Sequence, residues 1–415
     1  MLMASYPRSL WAMMAALAIA LSTVLLPGCG DDGGPGGELS VSLAVDSTGV
    51  EICATRALLA NVVHGQASQV DWYVNGIQGG NATIGTISQA NPATYTAPDS
   101  IPSPATVTLR VVSRQDSTKA DSCRVTIQFT VFHVNAASGN DDTGTGCITK
   151  PFKTIIHGLA VADSGKTVRV AAGTYDPANG EVFAIAIPRG VSLIGEDRET
   201  TIIRKPPDQS DASAAVALNG KRSVLRNFTI DEGGPENLEW QHAVYVGNGA
   251  PDAVIDSIIF PERAYLSVIR VDDAINATVT NCLFVVDDGR LDGRGMEIVF
   301  GDEGTVVRDC VFTGFGTGIF FNISSDALIQ GCTFDGNSYG ISICCFNSDT
   351  SNPNPDIGGG ARGSLGGNTF GDNSACGLYN ETRSNVYAKY NTWAHQPPSA
   401  GTDYCNTGTG SIIIQ

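Results

Sequence analysis

Asn281-Cys282-Leu283-Phe284, Asp309-Cys310-Val311-Phe312 and Gly331-Cys332-Thr333-Phe334 are three copies of one short pattern: a small polar residue, a buried one, any residue, then a large apolar one. Working outward, the pattern recurs upstream at Asn227-Phe228-Thr229-Ile230 and Ser257-Ile258-Ile259-Phe260. Downstream it returns at Gly367-Asn368-Thr369-Phe370 and Tyr390-Asn391-Thr392-Trp393. From each final apolar residue to the next the steps are 30, 24, 28, 22, 36 and 23 residues, the spread of one structural coil carrying loops of variable length. A second run follows each first one: Ala243-Val244-Tyr245-Val246, Val268-Ile269-Arg270-Val271, Met296-Glu297-Ile298-Val299, Gly318-Ile319-Phe320-Phe321, Gly340-Ile341-Ser342-Ile343 and Gly377-Leu378-Tyr379. Two or three short strands per turn, with large residues returning at equivalent places, is what a parallel β-helix requires. Neighbouring coils lie about 4.8 Å apart, so like side chains stack on like and no single coil buries its face alone. A left-handed helix of hexapeptides needs multiples of six, and a leucine-rich repeat needs its leucines; neither is present. The expected fold is all-β, with residues 131–415 forming a right-handed parallel β-helix.

Composition agrees. Of 415 residues, 42% are hydrophobic and only 16% charged, enough for more than one core, and the 48 glycines suit short strands joined by many turns. The net charge of −17 excludes nucleic acid as a partner and leaves neutral glycans, divalent cations or basic proteins.

The N-terminus reads as an export signal. Arg8 precedes the apolar run from Leu10 to Leu26, and Leu26-Pro27-Gly28-Cys29 resembles a lipobox, which makes Cys29 the candidate site of lipidation after removal of residues 1–28. The Gly/Asp-rich residues 29–38 are then a linker between a lipid-anchored terminus and the folded body. This implies a bacterial cell-envelope protein, periplasmic or surface-exposed, with membrane contact through its anchor. Setting Cys29 aside, ten of the eleven cysteines remain in a compartment where disulfides persist.

Residues 39–130 alternate with period two: Val70, Trp72 and Val74; Val107, Leu109 and Val111; Cys123, Val125, Ile127 and Phe129. Turn signals at Asn75-Gly76, Gly79-Gly80 and Asn91-Pro92 separate the runs, and the lengths suit a β-sandwich. Trp72-Tyr73-Val74-Asn75-Gly76, Tyr95-Thr96-Ala97-Pro98 and Pro104-Ala105-Thr106-Val107-Thr108 resemble the immunoglobulin-like modules of bacterial surface proteins. That resemblance implies a spacer or adhesion module, and its Cys, Trp, Cys order implies a bridge from Cys53 to Cys123 packed on Trp72.

The helix begins with its own signature. Phe152, Ile155, Ile156 and Leu159 fall at helical spacing, as expected of an amphipathic segment covering the open end of a solenoid. Val134-Asn135, Ser138-Gly139-Asn140-Asp141, Lys150-Pro151-Phe152-Lys153-Thr154-Ile155, Gly173-Thr174-Tyr175 and Leu193-Ile194-Gly195, with Asp356-Ile357-Gly358-Gly359-Gly360 near the end, resemble a family of unknown function within the pectin-lyase-like β-helix superfamily. The resemblance implies a fold and names no activity. Polygalacturonases of that superfamily use paired aspartates, a Gly-His-Gly and an Arg-Ile-Lys. Asp272-Asp273 and Asp287-Asp288 are present here, and the other two motifs are absent, as are the arginine-proline motifs of pectate lyases.

No catalytic residue is therefore assigned. The best constellation is positional: Asp272 and Asp273, then Asp302 and Glu303, then Asp326 follow successive second strands, and stacking would align them in an acidic column. Such a column should either bind a cation, calcium being one candidate, or show raised pKa values, and it could touch a glycan, with Arg270 as neutralising partner or base. Turn-forming aspartates produce the same column without a ligand. The five histidines share no ligand spacing, which argues against zinc. Cys282, Cys310 and Cys332 occupy one site in successive coils and suit a buried ladder of free thiols, while Cys376 with Cys405 is the expected bridge among cysteines of irregular segments. Three functions stay open: an envelope lipoprotein whose helix binds polysaccharide or another surface protein, a cation-dependent polysaccharide lyase or glycoside hydrolase, and a structural adhesin-like rod.

Overall fold

The computed structural model describes residues 37–206, 214–232, 242–261, 267–286, 293–299, 304–322, 326–344 and 353–415. The described residues are almost wholly β, with one short helix among them. In the N-terminal part, Ser47–Glu51, Ala120–Gln128, Thr106–Ser113, Val70–Val74 and Ile77–Gln78 form a five-stranded sheet, in that order. Thr55–Leu58, Ala93–Thr96, Gly85–Ile87 and Gly80–Asn81 form a four-stranded one. The alternation read from the sequence becomes the core between them: Trp72, Tyr95, Leu109, Val111 and Cys123 are all buried. Gln89 holds the Trp72 backbone at both groups, accepting from its N–H and donating to its carbonyl at 3.0 Å each.

The bridge implied by the immunoglobulin resemblance does not form. Cys123 is a buried free thiol, and Cys53 is bonded instead to Cys147. Topology explains the difference. In immunoglobulin domains the second cysteine sits on the penultimate strand, but that strand here, Thr106–Ser113, places Leu109 opposite Cys123, which belongs to the last strand. Cys53 lies in a turn, its N–H donating to the Pro98 carbonyl at 2.9 Å, where Cys147 from the following segment reaches it.

From Val131 onward the strands are parallel and in register. An 18-stranded sheet takes two strands from most coils and a nine-stranded sheet takes one. One coil runs Thr278–Thr280, a left-handed residue at Asn281 (φ 55°), Leu283–Val285, then Arg294–Val299. The next repeats it as Thr305–Arg308, Asp309 (φ 54°), Val311–Thr313 and Thr317–Asn322. This is a parallel β-helix, and the quoted repeat is its core. Phe260, Phe284, Phe312, Phe334, Phe370 and Trp393 form one stack, with successive ring centroids 4.9, 4.4, 5.2, 5.2 and 4.6 Å apart. Beside it Cys282, Cys310 and Cys332 are buried free thiols, and burial pushes the thiols of Cys310 and Cys332 well above the ordinary range. Buried amides continue that column: Asn368 Oδ1 accepts from the Cys332 N–H at 2.9 Å and Asn368 Nδ2 donates to Asn391 Oδ1 at 3.0 Å.

The helical spacing near residue 155 is realised as the helix Ile155–Val161, which packs Ile155 and Leu159 onto the first coil. Thr154 caps it, Asp141 accepts from Lys153 N, Thr154 N and Thr154 Oγ1, and the buried Glu181 accepts from Ile155 N at 2.5 Å and Ile156 N at 3.2 Å. Gly195 is required by close approach, because a Cβ there would stand 2.0 Å from the Asn227 carbonyl oxygen of the next coil. Much of the signature quoted above therefore builds the cap and the first turns.

Candidate functional site

Along each strand of the nine-stranded sheet, apolar residues alternate inward and polar ones outward. Ile269 and Val271, Met296 and Ile298, and Ile319 and Phe321 are core; Arg270, Glu297 and Phe320 face out. In-register pairing sets the outward residues in one row across the coils: Tyr245, Arg270, Glu297, Phe320, Ser342 and Tyr379.

The centre of the row is a buried ionic cluster. The Glu297 side chain is only 3% exposed, yet it lies on the outer face, covered by its own partners. Arg294 Nη1 donates to Glu297 Oε1 at 2.6 Å and Arg270 Nη1 to Glu297 Oε2 at 3.1 Å, while Arg270 Nε reaches Asp272 Oδ2 at 3.1 Å. Two guanidiniums thus meet two carboxylates. Burying a carboxylate is tolerable only with such compensation. Arg294 also lies 3.8 Å above the centroid of the Phe320 ring, a cation–π contact that orders the aromatic face. Ser267 Oγ lies 3.4 Å from Glu297 Oε2 and 2.9 Å from His242 Nδ1, which is also 3.0 Å from the Ser267 carbonyl oxygen. Burial lowers the pKa of His242, which favours the neutral ring. Tyr245, with its ring 6.4 Å from that of His242, has its pKa raised, chiefly by burial. At the far end Tyr379 donates to Glu381 at 2.5 Å and receives a bond from Thr407 at 3.2 Å. The arrangement is a rigid strip of aromatic rings, hydroxyls and paired charges.

A sequence profile for a family described as a protein of unknown function, DUF1565, matches residues 137–352 and, overlapping, 337–400. The chain belongs to the DUF1565 family. No curated protein matches it. Among solved structures, a rhamnogalacturonan lyase is 14% identical with a TM-score of 0.46, over 66% of this chain and 80% of that one. A pectin methylesterase in complex with a hexasaccharide is 14% identical with a TM-score of 0.37, over 57% and 92%. Pectin methylesterase PemA from Erwinia chrysanthemi is 12% identical with a TM-score of 0.31, over 67% and 89%. The whole Arg270–Glu297 cluster lies inside the DUF1565 match.

In this DUF1565 chain the described members of the acidic set, Asp272, Asp273 and Asp326, do not stand side by side. Asp272 pairs in register with Val299, and Val299 with Asn322, because Asp302 stands three residues beyond Val299 along the chain. Asp302 and Glu303 lie outside the described residues, as does Cys29. Asp273 is a left-handed turn residue (φ 55°) bonded by Asn248, and Asp326 borders the other sheet, where Arg362 pairs with it. Among the described residues no group of three or more His, Cys, Asp or Glu side chains is placed to hold a metal ion. Arg270 serves as a neutralising partner. Glu297, Arg294, Ser267 and Phe320 were missed; of these Glu297 carried a signal, as the polar break in the run Met296-Glu297-Ile298-Val299.

Cys376 and Cys405 are bonded to each other. With Cys53–Cys147 this makes two disulfides among the described residues, which mark the protein as extracytoplasmic. Among the described residues no helix is long and apolar enough to cross a membrane.

Proposed function

We propose that this protein is an envelope lipoprotein, anchored through Cys29, whose β-helix binds a neutral glycan on the outer face of the nine-stranded sheet. The observation that carries the reading is the row from Tyr245 to Tyr379. A chain lying along the solenoid axis would cross one coil about every 4.8 Å and would meet the half-buried Tyr245, Arg270 and Tyr379 of the row, while Glu297, Phe320 and Ser342 lie buried beneath their neighbours. Aromatic faces accept the C–H face of a pyranose ring, and fixed donors and acceptors read its hydroxyls. Neutral sugars are favoured over anionic ones because the net charge is −17 and both guanidiniums of the cluster are already spent on carboxylates. The same pairing speaks against a lyase, since an arginine held between Asp272 and Glu297 has no free lone pair with which to take a proton.

The test is to incubate the purified protein with neutral and acidic polysaccharides, with and without calcium, following binding, unsaturated uronates and new reducing ends. Binding without product, weakened at least tenfold by Tyr245→Ala with Tyr379→Ala, supports the reading. Unsaturated product, or no binding to any neutral polysaccharide, defeats it. For the anchor, Cys29→Ala should move the protein from the membrane fraction to the soluble one, and an unchanged distribution removes lipidation.

A further inference from the structure

One position in the repeat breaks the rule that the others follow. Where each coil bends between its two strands of the 18-stranded sheet, the chain passes through the left-handed region. The residues there are Asn227 (φ 62°), Ser257 (φ 59°), Asn281 (φ 55°), Asp309 (φ 54°), Gly331 (φ 65°) and Gly367 (φ 72°). Glycine carries no Cβ to clash, and the short polar side chains of Asn and Asp tolerate this conformation. The last bend uses Tyr390 (φ 63°), a bulky residue for which such a backbone is a genuine outlier. The backbone has no freedom to relax, because the Tyr390 carbonyl accepts the coil-to-coil bond from Gly367 N at 2.8 Å.

Packing does not repay that strain. The Tyr390 side chain belongs to a residue that is 72% exposed, and its hydroxyl has no hydrogen-bond partner among the described residues. Its ring lies on bare backbone: a Cβ at Gly359 would stand 3.1 Å from Tyr390 Cε2 and equally close to the Lys389 stem. Leu365, 73% exposed, immediately precedes Gly366, whose own Cβ position is 3.0 Å from the Tyr390 carbonyl oxygen. A strained backbone that holds a large ring out in water is where ligand contacts are found rather than where stability is made.

We propose that Tyr390 is a sugar-binding platform, its exposed ring face stacking the pyranose of a neutral glycan, with the Lys389 ammonium donating to a ring hydroxyl. The patch is far smaller than the roughly 1,000 Å² that a stable protein partner needs, and a single flat ring over a glycine floor fits one sugar residue. The proposal shares its ligand class with the sheet-face reading but stands on a different surface, so the two can fail separately.

The experiment measures binding of hexasaccharides of glucose, xylose and N-acetylglucosamine by the full chain, together with thermal melting. At least one hexasaccharide should bind, Tyr390→Phe should stay within threefold of the parent, and Tyr390→Asn should bind at least tenfold more weakly. The melting temperature of Tyr390→Asn should be unchanged or higher, because asparagine suits the bend better, so the loss could not be blamed on unfolding. Undiminished binding by Tyr390→Asn overturns the proposal, as does a parent that binds none of the hexasaccharides. If Tyr245→Ala with Tyr379→Ala abolishes binding while Tyr390→Asn does not, the platform falls and the sheet face stands; the reverse result removes the sheet face and keeps the platform.

Discussion

Cys53 at the end of the β-sandwich is bonded to Cys147 in the segment that leads into the cap of the β-helix. That bond makes one unit of two cores. Around it Lys150 pairs with Asp99 at 2.7 Å, Thr130 N donates to Glu51 Oε2 at 2.7 Å, and the Phe129 ring packs against both cores, 4.4 Å from Phe132. The solenoid is therefore presented from a fixed base.

Removing this bond should be costly, because it closes a loop with a sequence separation of 94. Loop-entropy reasoning puts the loss for Cys53→Ala with Cys147→Ala at about 2–5 kcal/mol, read as a lowered denaturation midpoint. Cys123→Ala should leave the disulfide peptides unchanged on mapping. A Cys53–Cys123 peptide in the parent protein would show that the immunoglobulin pairing had formed after all.

Glu297 offers a second test, of the ionic cluster. Glu297→Ala leaves Arg270 and Arg294 on the outer face without their shared carboxylate. Breaking a buried pair from one side costs about 3–5 kcal/mol, and urea denaturation should show a loss of that order. Replacing Arg270 and Glu297 together by methionine should cost less than Glu297→Ala alone, since no charge is then stranded. Equal losses would mean that Glu297 contributes packing only.

The repeat made the helix legible because stacking in a solenoid forces like residues to like places. The steps of 22 to 36 residues read from sequence became the aromatic stack from Phe260 to Trp393. What stayed hidden depends on exact register or on the joint between cores. Asp272 and Asp302 look equivalent when counted from the ends of runs, yet register sets Val299 beside Asp272. Cys147 lies beyond the segment that resembles an immunoglobulin module, so a resemblance confined to residues 39–130 could only pair Cys53 inwardly. Glu297 sits between Met296 and Ile298 and reads as one polar residue on a strand; its two arginines come from a neighbouring coil and from three residues upstream.

Within the stack, Phe312 is fully buried with rings at 4.4 and 5.2 Å on either side. Phe312→Ala should cost about 3–5 kcal/mol, the range for emptying a large core site. Phe312→Leu should recover part of it. Thermal melting of both variants checks the order, and an unperturbed Phe312→Ala would mean that coils close up over the gap.

Glu181 makes stability depend on pH in a direction opposite to most carboxylates. Burial pushes its pKa up from 4.5 to about 7, even though Ile155 N and Ile156 N both donate to it, and the nearby Asp141 and Asp176 add to the rise. Between those two values the folded protein holds a proton that the unfolded chain has released, so unfolding free energy falls as pH rises through that window and levels off above it. A displacement of this size is worth about 3 kcal/mol at most. Glu181→Gln mimics the protonated side chain and should match the parent near pH 4.5. Near pH 8 it should be the more stable of the two. If the carboxylate were instead needed as an anion to hold the first turn of the cap helix, Glu181→Gln would be weaker at pH 8 than at pH 4.5 relative to the parent. Paired denaturation curves at the two pH values distinguish these signs.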